Sequence, residues 1–157
     1  MSFFDRLIAR AESRGPDFVI GGHDNPYLLR WFLIPRNRFF NIYLHKFLRS
    51  DDDRALHDHP WPWCSILLRG SYVEWSKPRA GSPLGYHVER FEEGSIRCHG
   101  PRYAHRLVID RGSDCWTLFI TGPRVRQWGF HCPKGWVHWK KFTADDDAGA
   151  VGRGCEG

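Results

Sequence analysis

The sequence predicts an all-β fold, a single small β-barrel preceded by a short helix. Aromatic residues make up 15% of the 157 positions, with eight Trp and eleven Phe. Rings and β-branched side chains suit a pleated, half-buried surface. Ten Pro and sixteen Gly supply many turns. Short strand-like runs alternate with turn signals along most of the chain, the pattern of sandwiches and barrels.

The elements follow in order. Ser2 can cap a helix through about Ala11, with Phe3, Phe4, Leu7, Ile8 and Ala11 forming one apolar stripe. Gly15-Pro16 ends it. Strands are expected at 18–20, 27–34, 39–47, 64–68, 71–75, 86–91, 95–98, 105–109, 115–121, 127–131 and 136–140. Turn signals separate them: Pro35-Arg36-Asn37, Arg69-Gly70, Gly81-Ser82-Pro83, Glu93-Gly94, Asp110–Ser113, Gly122-Pro123 and Pro133-Lys134-Gly135. The organisation expected is one domain over 1–144, with the helix in 1–14 and the barrel in 17–143. Asp51-Asp52-Asp53 reads as a solvated loop, and 145–157, with three Asp and four Gly, as a disordered tail.

The formal charge of +5 is dispersed, which fits a solubilising surface, so no nucleic-acid partner is expected. No apolar run approaches the roughly 20 residues needed to cross a bilayer, so no membrane partner is expected either. Met1–Ala11 carries Asp5, Arg6 and Arg10 and does not read as a secretory leader. The five Cys are odd in number and form no CxxC pair. Reduced thiols in a cytoplasmic protein are the simplest expectation. The chain lacks a GxSxG elbow, a phosphate-cradling Gly loop and a dinucleotide fingerprint. His131, Cys132 and His138 lack the paired spacing of a zinc finger.

His57-Asp58-His59 is the strongest local signal. Side chains two apart on a strand share a face, so both imidazoles can grip one ion. An apolar strand then ends at Gly70, and Gly94 stands eleven residues before His105, with Pro101 in the turn between. This order resembles the two motifs of the cupin superfamily over residues 55–122. The resemblance implies a jelly-roll barrel, a double-stranded β-helix, with His57, His59 and His105 as metal ligands. The fourth cupin ligand, Glu, would fall at Trp63 or Cys64, and neither is a carboxylate. A set of three histidines resembles that of the thiol dioxygenases, cysteine dioxygenase among them. HDH, then Cys64, Leu67-Leu68 and Gly70, and later His105-Arg106, are similar to that family. The family's late Ser-x-His-x-Tyr alternation is replaced here by Thr117, Phe119 and Thr121. Cys64, placed where that family's Cys forms a thioether with Tyr, has no evident Tyr partner and also reads as a small buried hydrophobe.

The resemblance thus implies one divalent metal, Fe(II) favoured with Zn or Ni open, and dioxygenase chemistry on a small polar molecule, a thiol or carboxylate. Two rival functions stand beside it: a Zn- or Ni-dependent isomerase or lyase, and a barrel that binds a small ligand without turnover. A homodimer is expected because cupins are often dimers. Candidate catalytic residues are His99, Glu74 and Cys64. His99 precedes the Gly-Pro turn. Glu74 shares a face with Tyr72, and faces solvent if Val73 and Trp75 supply the apolar side. Tyr43 and His45, two apart on an aromatic strand, are candidates to line the cavity. Arg97, Arg124 and Arg126 are candidates to hold a substrate carboxylate. Arg106 should face away from His105, into a salt bridge.

Overall fold

A computed structural model describes residues 1–21, 25–51, 55–78, 85–110, 112–145 and 150–156. The turn 81–83, Asp52 and Asp53, Arg111 and tail residues 146–149 and 157 lie outside the described residues.

Helix α1 spans Phe3–Arg14, one turn beyond the expected Ala11. Its start is a capping box. The Asp5 backbone N–H donates to Ser2 Oγ at 3.0 Å, and the Ser2 N–H donates to Asp5 Oδ2 at 2.8 Å. Ile8 and Ala11 are its buried residues, packed with Trp31, Leu44, Leu68 and Trp116.

The strands form two six-stranded sheets, with every pairing antiparallel. The first runs in the order β1 (Phe18–Ile20), β2 (Leu28–Phe32), β3 (Asn41–Phe47), β10 (Cys115–Thr121), β5 (Trp63–Arg69) and β8 (Ile96–His99). The second runs β12 (Gly135–His138), β11 (Gly129–Cys132), β4 (Leu56–His57), β9 (His105–Val108), β6 (Ser71–Ser76) and β7 (His87–Glu92). Alternation sorts the side chains of the first sheet. Trp31, Leu44, Leu68 and Trp116 meet α1 on one face. Arg30, His45, Trp63, Ser65, Thr117 and Phe119 line a cavity on the other. That cavity, about 340 Å³, lies between the sheets, with His57, Tyr72, His105, Leu107 and Phe130 on its far wall.

Four expectations change. β4 is a two-residue strand that composition did not reveal. The final strand stops at His138 and gives way to a short helix, α2 (Trp139–Phe142). His138 Nδ1 accepts the Lys140 N–H at 3.3 Å, and Phe142 stacks on Phe130 at 3.7 Å, so local capping and ring burial outweigh strand propensity. The thiols are not all reduced: Cys64 is bonded to Cys98, and Cys132 to Cys155, leaving Cys115 free and buried. The tail is anchored over 150–156, because Cys155 is tied to β11 and the Gly152 N–H donates to Phe142 O at 3.0 Å. No helix among the described residues is long and apolar enough to cross a membrane.

Gly70 joins β5 to β6 at φ +81°, and a Cβ there would sit 2.7 Å from Asp114 O. Gly70→Ala should therefore cost about 2 kcal/mol, read as a lower urea midpoint at unchanged slope.

Candidate metal centre

His57 in β4 and His105 in β9 face each other directly across the ladder. His59 lies two residues beyond His57 and turns to the same side. One nitrogen from each ring falls within 4.8 Å of the others. His59 Nε2 and His105 Nε2 are 3.0 Å apart.

β4 is too short to hold two such rings by its ladder alone, and Asp58 between them supplies the anchor. Asp58 is buried, at 1% exposure. Its carboxylate accepts the Gly129 N–H at 2.9 Å, Trp136 Nε1–H at 3.1 Å and His131 Nε2–H at 3.0 Å. It also pairs with Arg126 at 2.8 Å. The Pro101 carbonyl accepts the His59 N–H at 3.3 Å and an Arg126 N–H at 3.2 Å, which fixes the His59 backbone against the turn before His105.

The inward face of β6 is Tyr72, Glu74 and Ser76, all buried. Glu74 thus points inward, contrary to the solvent-facing phase that Val73 and Trp75 suggest. Trp75 belongs to the outer face, where it packs on Tyr86 and lies under the Arg106 guanidinium at 4.5 Å. Arg106 does face away from His105, but its partner among the described residues is this ring rather than an acid. Glu74 Oε2 lies 2.9 Å from His105 Nδ1, while Oε1 accepts from Arg97 at 2.8 Å and from Tyr103 OH at 2.6 Å. Burial pushes this carboxyl up. The bonds from His105 and Tyr103 and the charge of Arg97 outweigh it and hold Glu74 at about 2.

His99 is outside the three-histidine cluster. It accepts from Arg97 at 2.7 Å and stacks on Tyr103 at 3.6 Å. Arg97 directs Nη2 at Glu74, His99 and Tyr103, while its Nη1 is buried without a hydrogen-bond partner. Arg124 bonds to Gln127, and Arg126 is committed to Asp58. Cys64 is a correction. It is half of a disulfide with Cys98, which it faces directly across the β5–β8 ladder. Its neighbours Trp63 and Ser65 face the cavity, so alternation turns Cys64 the other way. Trp63 stands instead where a cupin carboxylate was looked for, stacked on His105 at 5.0 Å. His45 lines the cavity, whereas Tyr43 packs with Trp63 and Phe119 beside it.

Sequence reasoning did not single out Arg30, which lines the cavity and donates from Nε to His45 Nε2 at 2.8 Å. Burial lowers its guanidinium to about 10, so it stays cationic at neutral pH. Burial, then the Arg30 charge, pushes His45 well below its ordinary 6.5. Burial lowers His57 to about 4. Burial, then His105 and His57, lowers His59 well below 6.5. These three rings are therefore neutral near pH 7, the state in which imidazole offers a lone pair.

No family model matches the sequence, and no curated protein matches it. Solved structures do share its fold. Fe(II) HppE in complex with substrate superposes with a TM-score of 0.51 at 12% identity, over 71% of this chain and 58% of that one. This chain thus spans under two thirds of HppE. A candidate mannose-6-phosphate isomerase from Ralstonia eutropha superposes with a TM-score of 0.51 at 16% identity, over 68% of this chain and 92% of that one. Both are cupin-fold proteins.

His45, His57 and His59 titrate lower when folded than unfolded, so the unfolded chain takes up protons first as pH falls. Their stabilisation is fully present above about pH 6.5 and is lost below it, by about 1.4 kcal/mol per pH unit for each ring. Urea unfolding of protein free of divalent metal, stepped from pH 7 to pH 5, should show this slope. His45→Gln should flatten it by one proton.

Proposed function

We propose that the chain is a cupin that holds one divalent metal ion through His57, His59 and His105 and acts, with Fe(II), as a mononuclear non-haem dioxygenase on a small polar substrate. The observation that carries this reading is the convergence of three imidazoles on one point of a cavity large enough for a small molecule. The donor set fits a metal. It contains no carboxylate, because Glu74 is engaged at the Nδ1 side of His105. A carboxylate there fixes the tautomer and leaves the Nε2 lone pair for the ion.

The 3.0 Å between His59 Nε2 and His105 Nε2 also bears on the metal. Two nitrogens about 2.1 Å from an ion are ~3.0 Å apart at right angles and ~3.4 Å apart at the tetrahedral angle. The shorter spacing suits a six-coordinate ion held on one face, which Fe(II) and Ni(II) both accept. The fold shared with Fe(II) HppE is the argument for iron. Iron in such a set supplies oxygen activation next to a bound substrate. The chain's own contribution is to orient the rings and exclude water. Trp63 and Phe119 wall the histidines with hydrocarbon, and Glu74 holds the His105 proton at Nδ1.

A second reading, a Zn- or Ni-dependent isomerase, is favoured by the shared fold with the Ralstonia protein, 92% of which this chain covers. Protein purified without a histidine tag and loaded anaerobically with Fe(II) separates the two. The dioxygenase reading expects about one iron per chain and oxygen uptake with a small carboxylate or thiol. Bound metal without oxygen uptake across such a panel favours the isomerase, and no bound metal overturns both. His57→Ala should abolish metal retention. Glu74→Gln should fold normally and weaken metal affinity roughly 10- to 100-fold.

A further inference from the structure

Four strands of the first sheet end on one line. Asn41, at the start of β3, pairs with Thr121 at the end of β10. Thr121 pairs in turn with Trp63 at the start of β5, and Trp63 with His99 at the end of β8. The connections 33–40, 59–62, 100–104 and 122–128 therefore leave the sheet at the same end. Backbone bonds tie three of them together: the Val125 N–H donates to Pro60 O at 2.8 Å, and the His59 N–H to Pro101 O at 3.3 Å. The four segments contain Arg36, Arg38, Arg102, Arg124 and Arg126, and neither Asp nor Glu. Charge that is dispersed along the sequence is collected here by the fold.

Arg126 is paired with the buried Asp58. The other four arginines are exposed, and none has an ion pair among the described residues. The bond of Arg124 is to Gln127, which is neutral. Three apolar side chains of the same loops also reach water: Phe39 at 62% exposure, Phe40 at 49% and Val125 at 60%. The loop that carries the two rings is not slack. Asn37 Oδ1 accepts the Phe39 N–H at 2.9 Å and the Phe40 N–H at 3.1 Å, and Asn41 Oδ1 accepts the Asn37 N–H at 3.0 Å. The loop's own side chains thus hold both rings out, and covering them costs little further ordering.

We propose that this end of the barrel docks on the surface of a bilayer that contains anionic lipids. Arg36, Arg38, Arg102 and Arg124 meet the headgroup phosphates, and Phe39, Phe40 and Val125 enter the boundary of the acyl chains. Each half of the surface needs the other, because stable peripheral attachment takes both anionic attraction and buried apolar area. The same charge opposes a second copy of the chain, whose matching end would bring four more arginines. A nucleic acid would satisfy the arginines and stack on the rings, but it offers no hydrocarbon to Val125. The surface is separate from the histidine cluster, so the inference does not depend on the metal reading.

The test is sedimentation of the untagged full chain with vesicles of equal parts phosphatidylglycerol and phosphatidylcholine, set against vesicles of phosphatidylcholine alone. Binding is expected to the anionic vesicles only, and it should weaken as salt is raised. Arg36→Gln with Arg38→Gln should weaken it roughly 25-fold, about fivefold for each charge. Phe39→Ser with Phe40→Ser should weaken it about tenfold or more at unchanged charge. Val125→Ser, on a different loop, should weaken it about threefold and carries the apolar arm if the double Ser variant does not fold. Arg6→Gln with Arg10→Gln removes the same charge from the exposed side of α1 and should change binding by under about twofold. Absence of binding to the anionic vesicles, or equal binding to both kinds, overturns the proposal. So does an equal loss from the α1 pair and the loop pair, or tighter binding of a short polyuridylate than of the anionic vesicles.

Discussion

The candidate centre depends on one buried carboxylate. Asp58 sits between two of the three histidines, just past a strand of two residues, and accepts from β11, from Trp136 of β12, from His131 and from Arg126. Backbone pairing of β4 cannot by itself fix both rings. A charge-assisted network can, because its bonds are directional and converge on a carboxylate that is itself buried. The middle residue of the HDH triplet thus serves geometry, while its neighbours supply the chemistry.

The cavity is polarised by a similar economy of charge. On one wall, Glu74 is neutralised by Arg97 and bonded to Tyr103 and His105, a closed network with its charges matched. On the opposite wall, the hydrogen bond of Arg30 among the described residues is to a neutral histidine. The asymmetry gives the cavity a direction, with the histidine cluster at one end and a positive charge at the other.

Much of the site was legible in the sequence because it obeys short-range rules. The two-residue spacing of His57 and His59 brings both rings to one side even though β4 ends at His57, and the interval from Gly94 to His105 spans one strand and one turn. Glu74 was harder to place, since alternation fixes which residues share a face but not which face is inside. Trp75, an apolar residue on the outer side under Arg106, pointed to the wrong phase. The Arg30–His45–Thr117 row was not legible at all. It is created by register across β2, β3 and β10, which come from parts of the chain far apart in sequence. Both disulfides escaped notice for the same reason, as their halves are 34 and 23 residues apart and meet only after the strands have paired.

The two ends of the cavity rest on supports of unequal strength. β10, beneath Thr117 and Phe119, is laddered along its whole length to β3 and over most of it to β5, with α1 packed on the reverse face. β4 has a single register pair with β9 and two with β11. The ladder beneath Thr117 and Phe119 is therefore continuous, whereas around His57 and His59 the backbone pairing is sparse and the bonds to Asp58 take its place. Backbone ladders carry one end of the cavity, and a side-chain network carries the imidazole end.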